Sequence, residues 1–353
     1  MPQGDPIEYG LILAGGLALG AYQSGALGAV LAQERLALRA IAGASIGAIN
    51  GAIVAGNAPE KRLDKLESFW RQAAIDPLLQ SWFGPVAAMG GGRAGHLLDW
   101  TAAIESRIAG SPALFRMRMP FEPDASGTPS LYESSRARET MLSHIDFDML
   151  NAGPLRYCCT TTDIETGECV VFDTAAGDRI EVEHLLASSG LLPSFAPQRI
   201  GNRLLGDGGF SANAPLEPFL ASDRMGDSLP LYLLIDLFSP LAAQPRTLEA
   251  CVERAVDLKY ACQTQMRLEA LVRERGLEQR LSGGEGPGSD LVHFAYQPLA
   301  TDPGPEKPFD FARDTLAARA AQGREDALKA LEQVPGELGG AGLRVHRLLP
   351  ERT

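Results

Sequence analysis

No Cys-x-x-Cys pair and no zinc-ligand spacing occur among the five cysteines, so the sequence offers neither a redox dithiol nor a structural metal site. Cys158 and Cys159 are adjacent and, on a strand, point to opposite faces. All five are expected to be reduced, buried, small apolar side chains. Long apolar runs are also missing: the nearest approach, Ala40 to Ala55, is broken by Asn50 and several glycines and is too short to span a bilayer. Met1 to Tyr9 holds two prolines and two acids but no basic or apolar region of the kind a secretory signal needs. The expectation is a cytoplasmic chain, peripheral to a membrane at most. Basic residues are outnumbered, 32 Lys and Arg against 44 Asp and Glu, leaving a formal net charge of −12. That field repels phosphate backbones, so nucleic acid is not an expected partner. Nor is there a P-loop lysine, a complete G-x-G-x-x-G, or an internal repeat.

What is present is a globular balance, 45% hydrophobic and 22% charged over 353 residues, enough for one large α/β domain or two smaller ones. Tyr9 to Leu13 reads as a buried strand, followed by the glycine-rich Ala14 to Gly20 and a helical pattern at Ala26, Leu27, Val30 and Leu31. Leu38 to Ala42 is a second strand, followed by Gly43 to Gly47 and a helix to about Ala55. Two strand-turn-helix units in succession imply parallel strands with helical crossovers. Downstream, Tyr157 to Thr162 and Cys169 to Phe172 read as a hairpin. Leu204 to Asp207, Leu231 to Leu237 and Leu291 to Tyr296 are further strands, and helices are expected from Pro245 to about Leu281 and from about Phe311 to Gln333. Residues 78–130 are rich in Gly and Pro and carry Trp82, Phe83, Met89, Trp100, Phe115, Met117, Met119 and Phe121. They are read as a helical insertion packed on the core or as a lid or acyl channel.

Three elements carry chemistry. Gly43-Ala44-Ser45-Ile46-Gly47 fits G-x-S-x-G, in which glycines two positions either side of a serine let a strand turn sharply into a helix and expose the hydroxyl. Alone the match is weak, since chance yields roughly a quarter of one in so glycine-rich a chain. Its place after an apolar strand and before a helix raises its weight. The loop Gly15-Gly16, at the end of the neighbouring strand, can bring bare amides to a developing oxyanion. Asp207-Gly208-Gly209 follows a strand and can hold a carboxylate near another strand end. Gly90-Gly91-Gly92-Arg93 mimics the first loop, but no strand precedes it.

In this order the three elements resemble the patatin-like phospholipase family. Gly20-Ala21-Tyr22-Gln23, Ala187-Ser188-Ser189 with Pro193 and Pro197, and Asn213-Ala214-Pro215-Leu216 extend the likeness over Tyr9 to Leu237. The resemblance implies a three-layer α/β/α fold with a mainly parallel central sheet and a helical C-terminal extension, as 1–240 and 241–353. It implies a Ser45–Asp207 dyad without histidine, an oxyanion hole from the amides of Gly15, Gly16 and Leu17, and supporting roles for Gly20, Gly43, Gly47, Gly208 and Gly209. No cofactor or metal is implied. The partner is a lipid or acyl-ester substrate, with transient contact at a membrane surface; oligomeric state is open. The family loop reads G-G-G-x-R/K-G, and here Leu17 and Leu19 replace the third glycine and the basic residue. Gly15 and Gly16 are therefore the firmer donors, and Leu17 is expected to serve only at negative φ. Two alternatives stay open. One is a catalytically silent lipid-binding or regulatory protein on the same fold. The other is a Ser-Asp-His triad using His293 or His346, although Ser45 follows the first strand too closely for the usual α/β-hydrolase order.

Overall fold

The computed structural model describes residues 5–78, 92–119, 127–221, 228–283, 288–299 and 301–348, and of 92–100 the backbone. Its first half runs β1 (Ile7–Leu13), α1 (Gly20–Leu31), β2 (Leu36–Ala44), α2 (Ile46–Ala55), α3 (Arg62–Ala73), α4 (Gly92–Ala109), a short ribbon of β3 (Arg116–Met117) and β4 (Tyr132–Glu133), α5 (Ser135–His144) and α6 (Phe147–Ala152). Then follow β5 (Arg156–Asp163), β6 (Cys169–Asp173), α7 (Val182–Ser188), β7 (Gln198–Ile200), β8 (Arg203–Asp207), α8 (Glu217–Leu220) and β9 (Leu231–Asp236). The chain closes with α9 (Leu248–Leu281), β10 (Ser289–Ala295), α10 (Arg313–Glu332) and β11 (Leu343–Leu348).

The main sheet has the order β11-β10-β9-β1-β2-β5-β8-β7, with β6 on the outer side of β5. From β11 to β5 every neighbouring pair is parallel. A parallel strand needs cover on both faces, and the alternation of β1 supplies it. Tyr9, Leu11 and Leu13 join the core beneath α1, α2 and α10, while Ile12 and Ala14 face Leu268 and Leu271 of α9 and Phe219 and Leu220 of α8. The result is an α/β fold with a mostly parallel central sheet, helices on both faces, and long C-terminal helices.

The register of the strands around β5 positions Ser45 and Asp207. Along one edge of β5, β2 pairs in parallel as far as Ala44 opposite Thr160. The next residue, Thr161, is already opposite Asp207 of β8, which runs the other way. β6 occupies the opposite edge of β5 over the same residues. Two strands therefore meet end to end on a single edge, each by its carboxyl end, at Ser45 and Asp207.

The structure departs from the sequence expectations in two places, the C-terminal third and the cysteines. The C-terminal third, read as mostly helical with one strand, adds two strands to the sheet. β11 was hidden because its Arg344, His346 and Arg347 mark it as a charged edge strand rather than an apolar one. Cys158 and Cys159 are buried and belong to opposite cores, but Cys169, Cys251 and Cys262 are exposed rather than buried. In the 78–130 stretch Phe115 is buried at the centre of an aromatic cluster with Tyr132, Phe195, Phe309 and Phe311. Met117 and Met119 are exposed. Trp82, Phe83, Met89, Phe121, the side chain of Trp100 and the Gly90-Gly91 run lie outside the described residues.

Candidate active site

Ser45 stands between the last residue of β2 and the first turn of α2, with φ 52° and ψ −125°. A non-glycine residue there is strained by about 1 to 2 kcal/mol, and the strain is held by close packing around it. A side chain at Gly47 would lie 2.2 Å from the Leu13 carbonyl oxygen, so α2 can approach β1 only with glycine at that position. Gly43 faces Gly47 across the same turn. The Ser45 amide is engaged: it donates to Ser188 Oγ at 2.9 Å, and that hydroxyl donates to the Thr160 carbonyl at 2.7 Å.

With the elbow fixed, the Ser45 hydroxyl donates to Asp207 Oδ2 at 2.8 Å. Both residues are almost fully buried. Asp207 Oδ1 accepts the Gly209 amide at 2.7 Å, across the short 3-10 turn of Gly208–Phe210, and the Asp207 carbonyl accepts from Thr162 Oγ1 at 2.8 Å. Burial pushes the Asp207 carboxyl up to about 6, against the Gly209 amide, the serine hydroxyl and the Lys259 ammonium, which all favour its ionised form.

The glycine loop lies on the other side of Ser45. A side chain at Gly15 would fall 2.8 Å from Asn213 Oδ1 and 3.0 Å from Ser45 Cβ. Asn213 clasps this residue twice, accepting the Gly15 amide at 3.1 Å on its carbonyl and donating from its side chain to the Gly15 carbonyl at 3.3 Å. The Gly15 amide is thereby committed, contrary to the expectation that it would be a free donor. The amides of Gly16 and Leu17 have no acceptor among the described residues. Leu17 does not meet the condition set for it. Its φ is 51°, in the left-handed region that favours glycine, not a negative value. Beneath the loop, Gln23 donates to the carbonyls of Ala14 and Ile235, and Asn50, itself held by Trp70, donates to Gln23 and to the carbonyl of Gly20 at the start of α1.

Two cavities meet at Ser45 and Leu17. The smaller, about 50 Å³, is walled by Ile46, Ile49, Phe115, Met141, Phe195 and Phe311 and is apolar. The larger, about 310 Å³, also contains Asp207, Asn213, Tyr260 and the pair Arg107–Glu306. Arg107 Nη1 donates to both oxygens of Glu306, at 2.8 and 2.6 Å, and the guanidinium stacks over Phe309 at 4.9 Å. Arg107, Glu306 and Tyr260 were not found from sequence, because nothing local marks residues that meet from so far apart. No histidine among the described residues lines either cavity. His293 lies by Asp236 at 3.6 Å and His346 by Asp290 at 2.8 Å. No group of three or more metal-ligating side chains occurs among the described residues.

A parallel α/β sheet with a serine elbow and a buried carboxylate abutting at its carboxyl edge defines the class of protein. Narrowing that class, the family model for patatin-like phospholipase matches residues 11–220, more than half of the chain, which belongs to this family. Among solved structures the chain is similar to VipD from Legionella pneumophila, at 13% identity over 93% of this chain and 67% of that chain, with a TM-score of 0.42. The type III effector protein ExoU matches at 14% identity over 93% of this chain and 53% of that chain, with a TM-score of 0.35. The heterodimeric ExoU-SpcU complex from Pseudomonas aeruginosa matches at 15%, 93% and 52%, with a TM-score of 0.31. The chain thus spans about half the length of the ExoU chains it matches. No match is found among curated proteins.

Proposed function

We propose that the protein is a serine lipid acyl hydrolase in which Ser45 is the nucleophile and Asp207 its base. The reading rests on the 2.8 Å contact between the two side chains at the junction of β2 and β8. Ser45 Oγ attacks an ester carbonyl while its proton passes to Asp207 Oδ2, and the bond to the leaving alcohol breaks with return of that proton. Water then attacks the acyl-serine, losing its proton to Asp207, and the acyl–Oγ bond breaks as Ser45 takes that proton back, releasing the carboxylic acid and restoring both side chains. A carboxyl pushed up to about 6 is a better base than an ordinary one and is still ionised at neutral pH. The Gly16 amide, which has no acceptor among the described residues, is the donor to the developing oxyanion, helped by the amino end of α2, and Leu17 at its positive φ does not meet the condition set for its amide. The apolar cavity receives the acyl chain, and the wider one, with room for a bulkier group, receives the alcohol side of the ester.

The competing reading, a silent lipid-binding protein, draws on the loop. Leu17 occupies a glycine conformation, and Leu19 is wholly buried where the family places a basic residue. Labelling with a fluorophosphonate, followed by turnover on a panel of acyl esters and phospholipids with Ser45→Ala as control, separates the two. Modification at Ser45 together with Ser45-dependent turnover supports the hydrolase. A folded protein that neither labels nor turns over any ester is the silent one.

A further inference from the structure

We propose that the outward face of α9 is the surface on which this protein lies against a lipid–water interface, an inference that extends the lipid-hydrolase reading above. α9 has 34 residues, about 51 Å at 1.5 Å per residue. Its inner face is spent on the core through Leu268, Leu271 and the buried Asp257 and Arg275. A helix facing water on its other side should be polar there. Here fifteen residues of α9 are exposed; ten are apolar, three basic and two acidic. The largest are Leu248, Val252, Met266, Leu277 and Leu281, exposed by 82, 47, 71, 52 and 88%. Leu248 and Met266 are 266 − 248 = 18 residues apart, about five turns, and Met266 and Leu277 are 277 − 266 = 11 apart, about three, so they fall in one line.

Two further observations select the occupant. Charge on this face is reversed relative to the chain: Lys259, Arg273 and Arg280 outnumber Glu249 and Glu269, whereas the chain carries 32 basic residues against 44 acidic ones. Apolar residues mixed with cations are the composition of a helix lying in the plane of a membrane surface. The stripe is also continuous with the site. Val252 is both exposed and a wall of the cavity that holds Ser45 and Asp207, and Val256 and Tyr260 continue that wall. Lys259 lies over the rings of Phe210 and Tyr260, at 5.8 and 5.1 Å. A lipid surface against the stripe therefore meets the mouth of the cavity, and an ester enters without crossing bulk water. A second copy seated there would close that mouth. No helix among the described residues is long and apolar enough to cross a membrane, so the contact is with the surface.

Flotation of the full chain with phosphatidylcholine vesicles tests this, comparing wild type with a Met266→Glu, Leu277→Glu double variant; neither residue lines the two cavities that meet at Ser45. The wild type floats, and the variant partitions about tenfold more weakly or worse. Hydrolysis of vesicular phospholipid falls with it, while turnover of a short water-soluble ester stays at the wild-type level. Wild-type protein that does not float, a variant that floats equally well, or light scattering showing that the variant splits a dimer would each overturn the proposal. Absence of short-ester turnover in the wild type would instead remove the catalytic reading, with flotation still deciding the docking face.

Discussion

The two walls of the site are held by different forces. The sheet wall, made of Gly15, Ser45 and Asp207 with Asn213 from the loop after β8, sits at or just beyond strand ends whose positions follow from backbone pairing and from the buried residues behind them. The opposite wall is residues 304–311, which contribute Glu306 and Phe309 to one cavity and Phe311 to the other. That segment is anchored by buried ions. Lys307, only 2% exposed, reaches Glu253 and Asp257 of α9 at 2.8 Å each. Arg319, fully buried, pairs with Asp302 at 2.7 Å and donates to the Asp310 carbonyl at 3.2 Å. A wall of strand ends has many small supports, whereas one tied by ion pairs has a few large ones, each favourable only while both partners remain. On the proposed reading the bond-making groups lie on the sheet wall and the groups that meet the variable part of a substrate on the other.

The largest expected effects lie on the sheet wall and are catalytic. Ser45→Ala should lower turnover by at least about a thousandfold without altering the far-UV dichroism or the melting temperature by much. Gly15→Ala should lower kcat by about a hundredfold, since the new methyl must displace either Ser45 or Asn213, and a shift near 1 Å is enough for such a loss. Steady-state kinetics on a short ester measures both. A Gly15→Ala enzyme with normal kcat would show that the loop can slide, and the contrast with the other wall would fail.

On the ion-tied wall the expected effect is chiefly on stability. Lys307→Met leaves Glu253 and the buried Asp257 without their cation, and should cost about 3 kcal/mol in urea unfolding. Its effect on kcat/KM should stay within about tenfold, because Lys307 touches no group at Ser45. If instead this variant lost activity as severely as Gly15→Ala while keeping its stability, segment 304–311 would belong with the catalytic groups.

The same contrast separates what could be read in the sequence from what could not. Ser45 was legible because its elbow is local: two glycines, a strand before and a helix after. Asp207 was legible as the partner through the family resemblance, and the abutment of β2 and β8 on one edge of β5 explains how residues so distant in sequence meet. The engagement of the Gly15 amide by Asn213 was not legible, because it depends on a carbonyl 198 residues away. The backbone of Leu17 was left conditional for a related reason. A leucine disfavours positive φ locally, yet Leu17 stands at 51°, which only the folded surroundings of the loop decide. Arg107 and Glu306, 199 residues apart, carried no signal, since each looks like an ordinary surface charge until the helix end and segment 304–311 come together.

The smallest effect expected is on the stability of the sheet wall itself, and its sign distinguishes a functional group from a structural one. Burial pushes the Asp207 carboxyl in the folded protein up to about 6 from an ordinary 3.8, because it disfavours the charged form. Between those values the native state binds the proton more tightly than the unfolded chain, so native stability falls as pH rises through this window and stays lower above it. Asp207→Asn removes the buried charge. The variant should therefore be more stable than wild type at about pH 8, by on the order of 1 to 3 kcal/mol, with the difference closing below about pH 4. Wild-type kcat/KM should fall below about pH 6 over the same interval, as the base takes up its proton, while the Asn variant shows no turnover at any pH. Paired urea titrations across that range measure the stability arm. A variant less stable than wild type at high pH would mean that the Asp207 carboxylate contributes more to holding β8 against β2 than its burial takes away, and that the catalytic wall is as dependent on ionic contacts as the one facing it.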